Sequence, residues 1–347
     1  MTNSSYSAWL CPSKGAPLEN RNITFTTFDD WSIEMDILCC GICGTDIHII
    51  DSGWGTSCYP VVCGHEFVGR VTRVGKNITH LQEGDRAGVG YQGGSCHKCT
   101  SCKAHKENMC EKQLIPTFNT CLDNGETVNG GFADKWRGDG RFVVKIPSEL
   151  PSEVAASFMC GGVTTYMGLK QYDVGPSSSV AVLGLGGLGH YGIQWAKALG
   201  AANVVAFDVV PEKAKDAAMI GCDYVLMQDE DEVRRHYGSF THILATKIVN
   251  KSWNHYLNLL KKQGTFILCD VPEEPLANIN PGAVVGKQLK LVGTCIGSPK
   301  DIQECLQFAV EKGVRTWIDK FPMSQINEAI QFVRDGKPRY RAVLINE

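Results

Sequence analysis

Two textures of apolar and polar residues divide the chain. Up to about residue 150, short apolar runs such as IEMDILCCGIC, FVGRVTRVG and RAGVGY are broken by Gly, Pro, Asp and Asn, the texture of a small irregular β-domain. From about Pro151, helix-length segments alternate with short β-rich runs, which predicts βαβ units and a parallel sheet. Six such runs occur, at 180–183, 203–207, 224–227, 242–245, 265–269 and 289–294, the full complement of a doubly wound sheet. After them, GSPKDIQECLQFAVEKG predicts a helix: Ser298 is the N-cap, Pro299 takes the first helical position, and Ile302, Cys305, Leu306, Ala309 and Val310 keep helical spacing. The tail RYRAVLINE reads as a strand that could return to the first domain.

The first β-rich run of the second half leads into VAVLGLGGLGHYGIQWAKALGA, with Gly184, Gly186, Gly187 and Gly189 before a helix whose apolar face is Leu188, Tyr191, Trp195 and Leu199. Glycines there let the backbone turn tightly and approach a pyrophosphate, which the helix N-terminus binds through its free N–H groups. An ordinary glycine turn gives the same local pattern. Strand, loop and helix in that order, with Asp208 closing the next strand 19 residues after Gly189, favour a dinucleotide site that includes Leu188. A carboxylate at Asp208 accepts the adenosine-ribose hydroxyls and repels a 2'-phosphate, so NAD(H) is expected over NADP(H). The bland alternative is that Asp208 caps the helix starting near Pro211, with Lys213 and Lys215 close enough in sequence to attract a phosphate.

Composition narrows the class. The chain has 347 residues, enough for two domains, with 43% hydrophobic and 20% charged residues and 37 glycines. A formal net charge of -3 argues against nucleic acid or anionic membrane as partner, and a small-molecule substrate is expected instead. The start MTNSSYSAWLCPSKG lacks a secretory pattern and no apolar run reaches membrane-spanning length, so a cytoplasmic location is expected. In that compartment the 16 cysteines are read as thiols and metal ligands rather than disulfides.

Two ligand sets stand out among them. Cys96, Cys99, Cys102 and Cys110, in GGSCHKCTSCKAHKENMC, have a spacing suited to a closed tetrahedral zinc site with no position left for chemistry. Cysteines at such intervals also suit an iron–sulfur cluster, but no proline follows the last one and no other electron-transfer feature is present. The second set is dispersed: Cys43 in CGICGTDIH, His65 with Glu66 in CGHEFVG, and Cys160 in SFMCGGVTTY. Two thiolates and an imidazole with a fourth place for water or substrate make a catalytic zinc site. A cysteine taken singly is more often a small buried apolar residue than a ligand.

GICGTDIH, YPVVCGHEFVGRV, the four-cysteine lobe, CGGVTTY, GLGGLGH and RYRAV, in that order, resemble the zinc-dependent medium-chain alcohol dehydrogenases, in the branch with the cinnamyl and broad-specificity fungal alcohol dehydrogenases. The resemblance spans nearly the whole chain. It implies an α/β protein with a GroES-like β-domain at 1–155 and 296–347, a Rossmann domain at 156–295, and an active-site cleft between them. It implies a catalytic zinc on Cys43, His65 and Cys160, with Glu66 beside it, Asp46 orienting the histidine, and Thr45 and His48 as a proton relay. Thr164 stands where the family positions the nicotinamide carboxamide and Arg341 where it contacts the pyrophosphate. Trp54 resembles a residue lining the pocket for an aromatic or bulky primary alcohol, though a structural tryptophan reads equally well. A homodimer through the Rossmann sheets, around 289–296, also follows.

The pattern is not followed everywhere. Cys63 stands where proline usually precedes G-H-E, and with Cys58 it adds thiols near the ligating histidine. FDVVPEK replaces the serine-rich or basic stretch that usually meets the NADP phosphate in the cinnamyl branch. Two rivals remain: a zinc-free reductase of the same superfamily would lack the Cys43, His65 and Cys160 set, and a zinc-stapled scaffold would give no reason for an intact Thr45 and His48.

Overall fold

The strand Ser32–Ile42 organises the first half of the molecule. Its residues alternate toward a core in which Ile33, Met35, Phe67, Val71, Phe132 and Trp136 are buried. One edge pairs antiparallel with Phe67–Val74, which passes the sheet on to Arg86–Val89 and Val143–Lys145. The other edge is shared: Lys135–Asp139 covers residues 32–36, and the C-terminal Arg341–Ile345 covers residues 39–42. Ile318–Pro322 completes this seven-stranded sheet, parallel to the tail strand. The return of the tail, expected from RYRAVLINE, pairs Ala342 with Ile42, so Arg341 and Cys43 are the next residues beyond that pair on the two strands.

The computed structural model describes residues 5–122, 125, 127–248, 253–273 and 279–346. The chain divides into two units, one running to Cys160 and resuming at Gly297, the other Gly161–Ile296. The short helix Ser152–Ala156 belongs to the first, because it packs on Ser32–Ile42 and Phe67–Val74.

In the second unit all six expected runs form one parallel sheet, in the order Asp223–Leu226, Asn203–Asp208, Ser179–Leu183, Phe240–Ala245, Leu260–Leu268 and Lys290–Gly293. Parallel strands are covered on both faces and therefore read as continuous apolar runs; Val180, Ala181, Val182, Ile243 and Leu244 are fully buried. The fifth strand begins five residues earlier than its apolar run. Lys261, Lys262 and Gln263 hide that start, and the pairing slips between Phe240 and His242.

The helix Gly189–Ala198 buries Tyr191 and Trp195 completely, and Trp195 Nε1–H donates to the Gly162 carbonyl at 3.0 Å. Leu188 and Leu199, expected on the same apolar face, are only half-buried because they are the two end caps of the helix; Ile193 and Ala196 fill the core instead. The helix Pro299–Lys312 starts at Ser298 with a capping box completed by Asp301 and ends at Gly313 in a left-handed conformation.

The glycine loop tolerates substitution unevenly. A Cβ on Gly189 would stand 1.8 Å from the Gly184 carbonyl oxygen, whereas one on Gly186 would meet nothing within 4 Å. Gly189→Ala is expected to lower unfolding free energy by about 1–3 kcal/mol. Gly186→Ala is expected to stay within about 0.5 kcal/mol of the parent in the same denaturant titration.

Candidate active site

Sequence-local chemistry starts the first site. Cys43 ends the Ser32–Ile42 strand and is the N-cap of the helix Gly44–Asp51, and Asp46 is the third residue of that helix. Asp46 Oδ2 accepts from the Cys43 N–H at 2.9 Å, as a capping-box acid does. Its other oxygen accepts from the Gly64 N–H at 2.9 Å and lies 3.1 Å from His65 Nδ1. One fully buried carboxylate thus ties the segment of Cys43 to that of His65 and Glu66. With Nδ1–H donating to Asp46, His65 presents Nε2 with its lone pair free. Gly64 makes the turn possible: its φ is +98°, and a Cβ there would come within 2.7 Å of the Phe132 nitrogen.

Opposite Nε2 lie the sulfurs of Cys43 and Cys160 and the Glu66 carboxylate, all four donor atoms within 4.8 Å of one another. His65 Nε2 and both Glu66 oxygens are buried without a hydrogen-bond partner of good geometry. Arg341 Nη2 stands 3.2 Å from Glu66 Oε1, with both side chains buried.

The protonation pattern is that of a crowded anionic pocket. The Cys160 thiol donates to Cys43, which holds Cys43 well below the usual cysteine range and drives Cys160 well above it. Burial pushes Glu66 up to about 8 against the pull of Arg341. Burial opposes the His65 imidazolium, yet the Asp46 carboxylate and the Cys43 sulfur outweigh it and raise His65. Buried donors left unpaired are costly, and two thiols, an imidazole and a carboxylate converging on one point fit a zinc ion.

The Cys96, Cys99, Cys102 and Cys110 sulfurs also lie within 4.8 Å of one another, with Cys96–Cys102 and Cys99–Cys110 each at 4.0 Å. Zinc–sulfur bonds of about 2.3 Å put tetrahedral corners about 3.8 Å apart, so four thiolates fit one closed site. Backbone N–H groups already point at the sulfurs: Cys96 and Gln113 donate to Cys110 at 3.5 and 3.4 Å, and Cys99 to Cys96 at 3.4 Å. Burial raises Cys110, but these donors win and bring its thiol to about 6. All sixteen cysteines are free thiols.

In the second unit, Gly184 leaves its strand with φ +87°, and the loop leads straight into the helix at Gly189. The cradle fits a pyrophosphate: Gly184, Gly186, Gly187 and Gly189 lead into the first turn of a ten-residue helix, and a Cβ on Gly186 would meet nothing within 4 Å. Asp208 ends the adjacent strand, almost fully buried, and does not cap the Pro211 turn. Oδ1 accepts from Val209 and Val210 N–H at 2.7 and 3.0 Å, and Oδ2 from Leu185 N–H at 2.5 Å and from Lys213 Nζ at 3.1 Å.

The remaining expected residues fall as follows. Thr45 and His48 are half-buried on one face of the Gly44–Asp51 helix, and the Cys43 thiol reaches Thr45 Oγ1 at 3.8 Å. Trp54 stacks on His48, ring centroids 4.2 Å apart and planes at 19°. Thr164 lies in the helix Gly161–Lys170 of the second unit, and Arg341 in the first. Cys63 is fully buried and Cys58 exposed. Sequence reasoning missed the Arg341–Glu66 pair and the rings that wall His65, Tyr91 at 5.6 Å and Phe118 at 5.4 Å. Tail-strand register reveals the first; nothing local marks the second.

Comparison with known proteins places the chain in a family. Residues 30–148 match the alcohol dehydrogenase GroES-like domain, and residues 187–311 the zinc-binding dehydrogenase family. NADP-dependent alcohol dehydrogenase C 1 of Mycolicibacterium smegmatis is 36% identical over 343 residues, 98% of each chain. Cinnamyl alcohol dehydrogenase 2 of Rauvolfia serpentina is 32% identical over 97% of this chain and 93% of its own. A Sorghum bicolor cinnamyl alcohol dehydrogenase structure matches with a TM-score of 0.94 at 34% identity, covering 99% of this chain and 98% of its own. A CAD structure from Helicobacter pylori complexed with NADP(H) matches at 0.90 and 28% identity, with 98% of each chain covered. The chain belongs to the zinc-binding medium-chain alcohol dehydrogenases, in the branch that contains the cinnamyl alcohol dehydrogenases.

Proposed function

We propose that the protein interconverts primary alcohols and aldehydes at a zinc ion held by Cys43, His65 and Cys160, using a nicotinamide cofactor, and that a second zinc fills the four-cysteine lobe. The observation that carries this reading is the convergence of two thiols on an unpartnered, buried His65 Nε2, with a hydroxyl and a second imidazole on the adjoining helix face. When bound, the zinc supplies a Lewis acid for the substrate oxygen and the nicotinamide supplies or accepts the hydride.

The chain's own residues do the rest. Asp46 keeps the His65 ring oriented and in the tautomer that presents Nε2. Thr45 Oγ1, beside Cys43, holds the proton of the substrate hydroxyl, and His48, three residues on along the same face, exchanges it with water. Glu66 lies beside the two cysteines and the histidine and pairs with Arg341, so its charge is balanced within the pocket. The exposed indole of Trp54, stacked on His48, offers a flat wall that suits an aromatic or bulky alcohol.

NAD(H) is the favoured cofactor, which sets this chain apart from the relatives named as NADP-dependent. The support is Asp208: its carboxylate sits at the corner of the glycine loop, bonded to Leu185 N–H, where it would repel a 2'-phosphate. A homodimer is supported by the edge position of Lys290–Gly293 in the sheet, with Leu291 and Val285 exposed. No helix among the described residues is long and apolar enough to cross a membrane.

Three measurements test these assignments. Metal analysis of the purified chain is expected to give two zincs; Cys43→Ser should lose one together with activity, and Cys99→Ser the other, with a lowered melting temperature. A chain carrying one zinc that survives Cys43→Ser would refute the catalytic site. Asp46→Asn should weaken zinc at that site by about 10–100-fold in chelator competition. For the cofactor, kcat/KM should favour NAD, and Asp208→Ser should raise kcat/KM with NADP by roughly tenfold, the worth of one like-charge repulsion. A parent that already prefers NADP contradicts the reading of Asp208.

A further inference from the structure

The ends of Ser179–Leu183 and Phe240–Ala245 are neighbours in the parallel sheet, and the connections that follow them lead to opposite sides of the strand order. Such a reversal opens a crevice at the carboxyl ends of the strands, where doubly wound sheets take their ligands. The glycine loop forms one lip of that crevice. The turn after Phe240–Ala245 forms the other, and it carries Lys247.

That turn is fastened to the loop. Thr246 Oγ1–H donates toward the Leu183 and Gly184 carbonyls at 2.8 and 2.9 Å, the Lys247 N–H donates to Leu183 at 3.2 Å, and the Ile248 N–H donates to Asp270 Oδ2 at 3.0 Å. The Lys247 Cβ lies so close that a Cβ on Gly184 would come within 2.8 Å of it. Glycine at 184 is thus required twice, for its positive φ and for the approach of this lysine. The root of the side chain is fixed while its tip is in solvent: the side chain is 72% exposed, and the Asp270 carboxylate stands 3.9 Å from Nζ, beyond hydrogen-bond distance. Lys213, at the same loop corner, is by contrast within 3.1 Å of Asp208.

We propose that Lys247 is a further cofactor-binding residue, whose ammonium meets a phosphate oxyanion of the dinucleotide held by the glycine loop. A solvated surface lysine would have no reason to be rooted against the one glycine that begins the phosphate loop. The flexible four-carbon stem lets a fixed root deliver a charge over the crevice. This inference rests on the nicotinamide reading above and adds to it a cationic contact that the all-backbone loop lacks.

The test is direct binding to the zinc-loaded enzyme, followed by fluorescence titration with NADH and with NADPH. Lys247→Met is expected to raise Kd roughly tenfold and to flatten its dependence on salt, while Lys247→Arg stays within about twofold of the parent. An equal loss for both cofactors assigns the contact to the shared diphosphate; a loss for NADPH alone assigns it to the 2'-phosphate. Because the side chain is exposed, the melting temperature without cofactor should not move. Unchanged Kd for both cofactors in Lys247→Met overturns the proposal while leaving the dehydrogenase reading intact. A parent that binds neither cofactor overturns both.

Discussion

The first unit depends on a single buried carboxylate. Asp46 accepts the N–H of Cys43, the N–H of Gly64 and the Nδ1–H of His65, so it starts a helix, closes the turn before the ligating histidine and orients that histidine. A carboxylate has about four acceptor positions, and three of them are used here by groups from two distant segments. Backbone pairing, including Gly41 N–H to the Glu66 carbonyl at 2.7 Å, holds the same two segments side by side, and Asp46 fixes the side chains between them. The acid is affordable in a fully buried place only because its partners are N–H groups already aimed at it.

The same crowding explains why the pocket wants a cation. Cys43, Cys160, Asp46 and Glu66 are four acidic groups facing one imidazole and one guanidinium. Without a metal they cannot all ionise: the Cys160 thiol is pushed up as it donates to Cys43, and burial pushes Glu66 up as well. The four-cysteine lobe solves the problem differently. The Cys96 and Cys110 sulfurs receive backbone N–H groups from their own loop, which favours the Cys110 thiolate, while burial raises the Cys102 thiol and leaves it to be deprotonated by a metal. One set is four thiols, which a zinc ion would occupy completely; the other is two thiols and an imidazole with a buried carboxylate beside them, which would leave a place for chemistry.

What could be read from the residues follows from the range of the forces involved. The six parallel strands were legible because burial on both faces makes each a continuous apolar run, and the start displaced furthest, at Leu260, is where Lys261, Lys262 and Gln263 break that rule. The capped helix after Ser298 and the four-cysteine lobe were legible because their partners lie within a few residues. The dispersed ligand set became legible only through a resemblance, since nothing in the spacing of Cys43, His65 and Cys160 requires them to meet. The pairing of Arg341 with Glu66 and the rings of Tyr91 and Phe118 around His65 depend on sheet register and on packing across the domain, which short-range pattern does not encode.

Asp208 repeats in the second unit the device that Asp46 provides in the first. Each is a buried aspartate near the end of a strand, and each uses both oxygens to hold backbone N–H groups of two segments: Cys43 and Gly64 in one case, Leu185 with Val209 and Val210 in the other. The difference lies in the remaining partner. Asp46 takes an imidazole, so its charge is transmitted to a metal ligand; Asp208 takes an ammonium, so its charge is partly balanced and its acceptors are filled. For a ribose hydroxyl to bond Asp208, Lys213 must yield its place. Cofactor choice at this corner is therefore a competition among hydroxyl, ammonium and phosphate for one buried carboxylate and the lysines around it, and a single acidic side chain does not decide it alone.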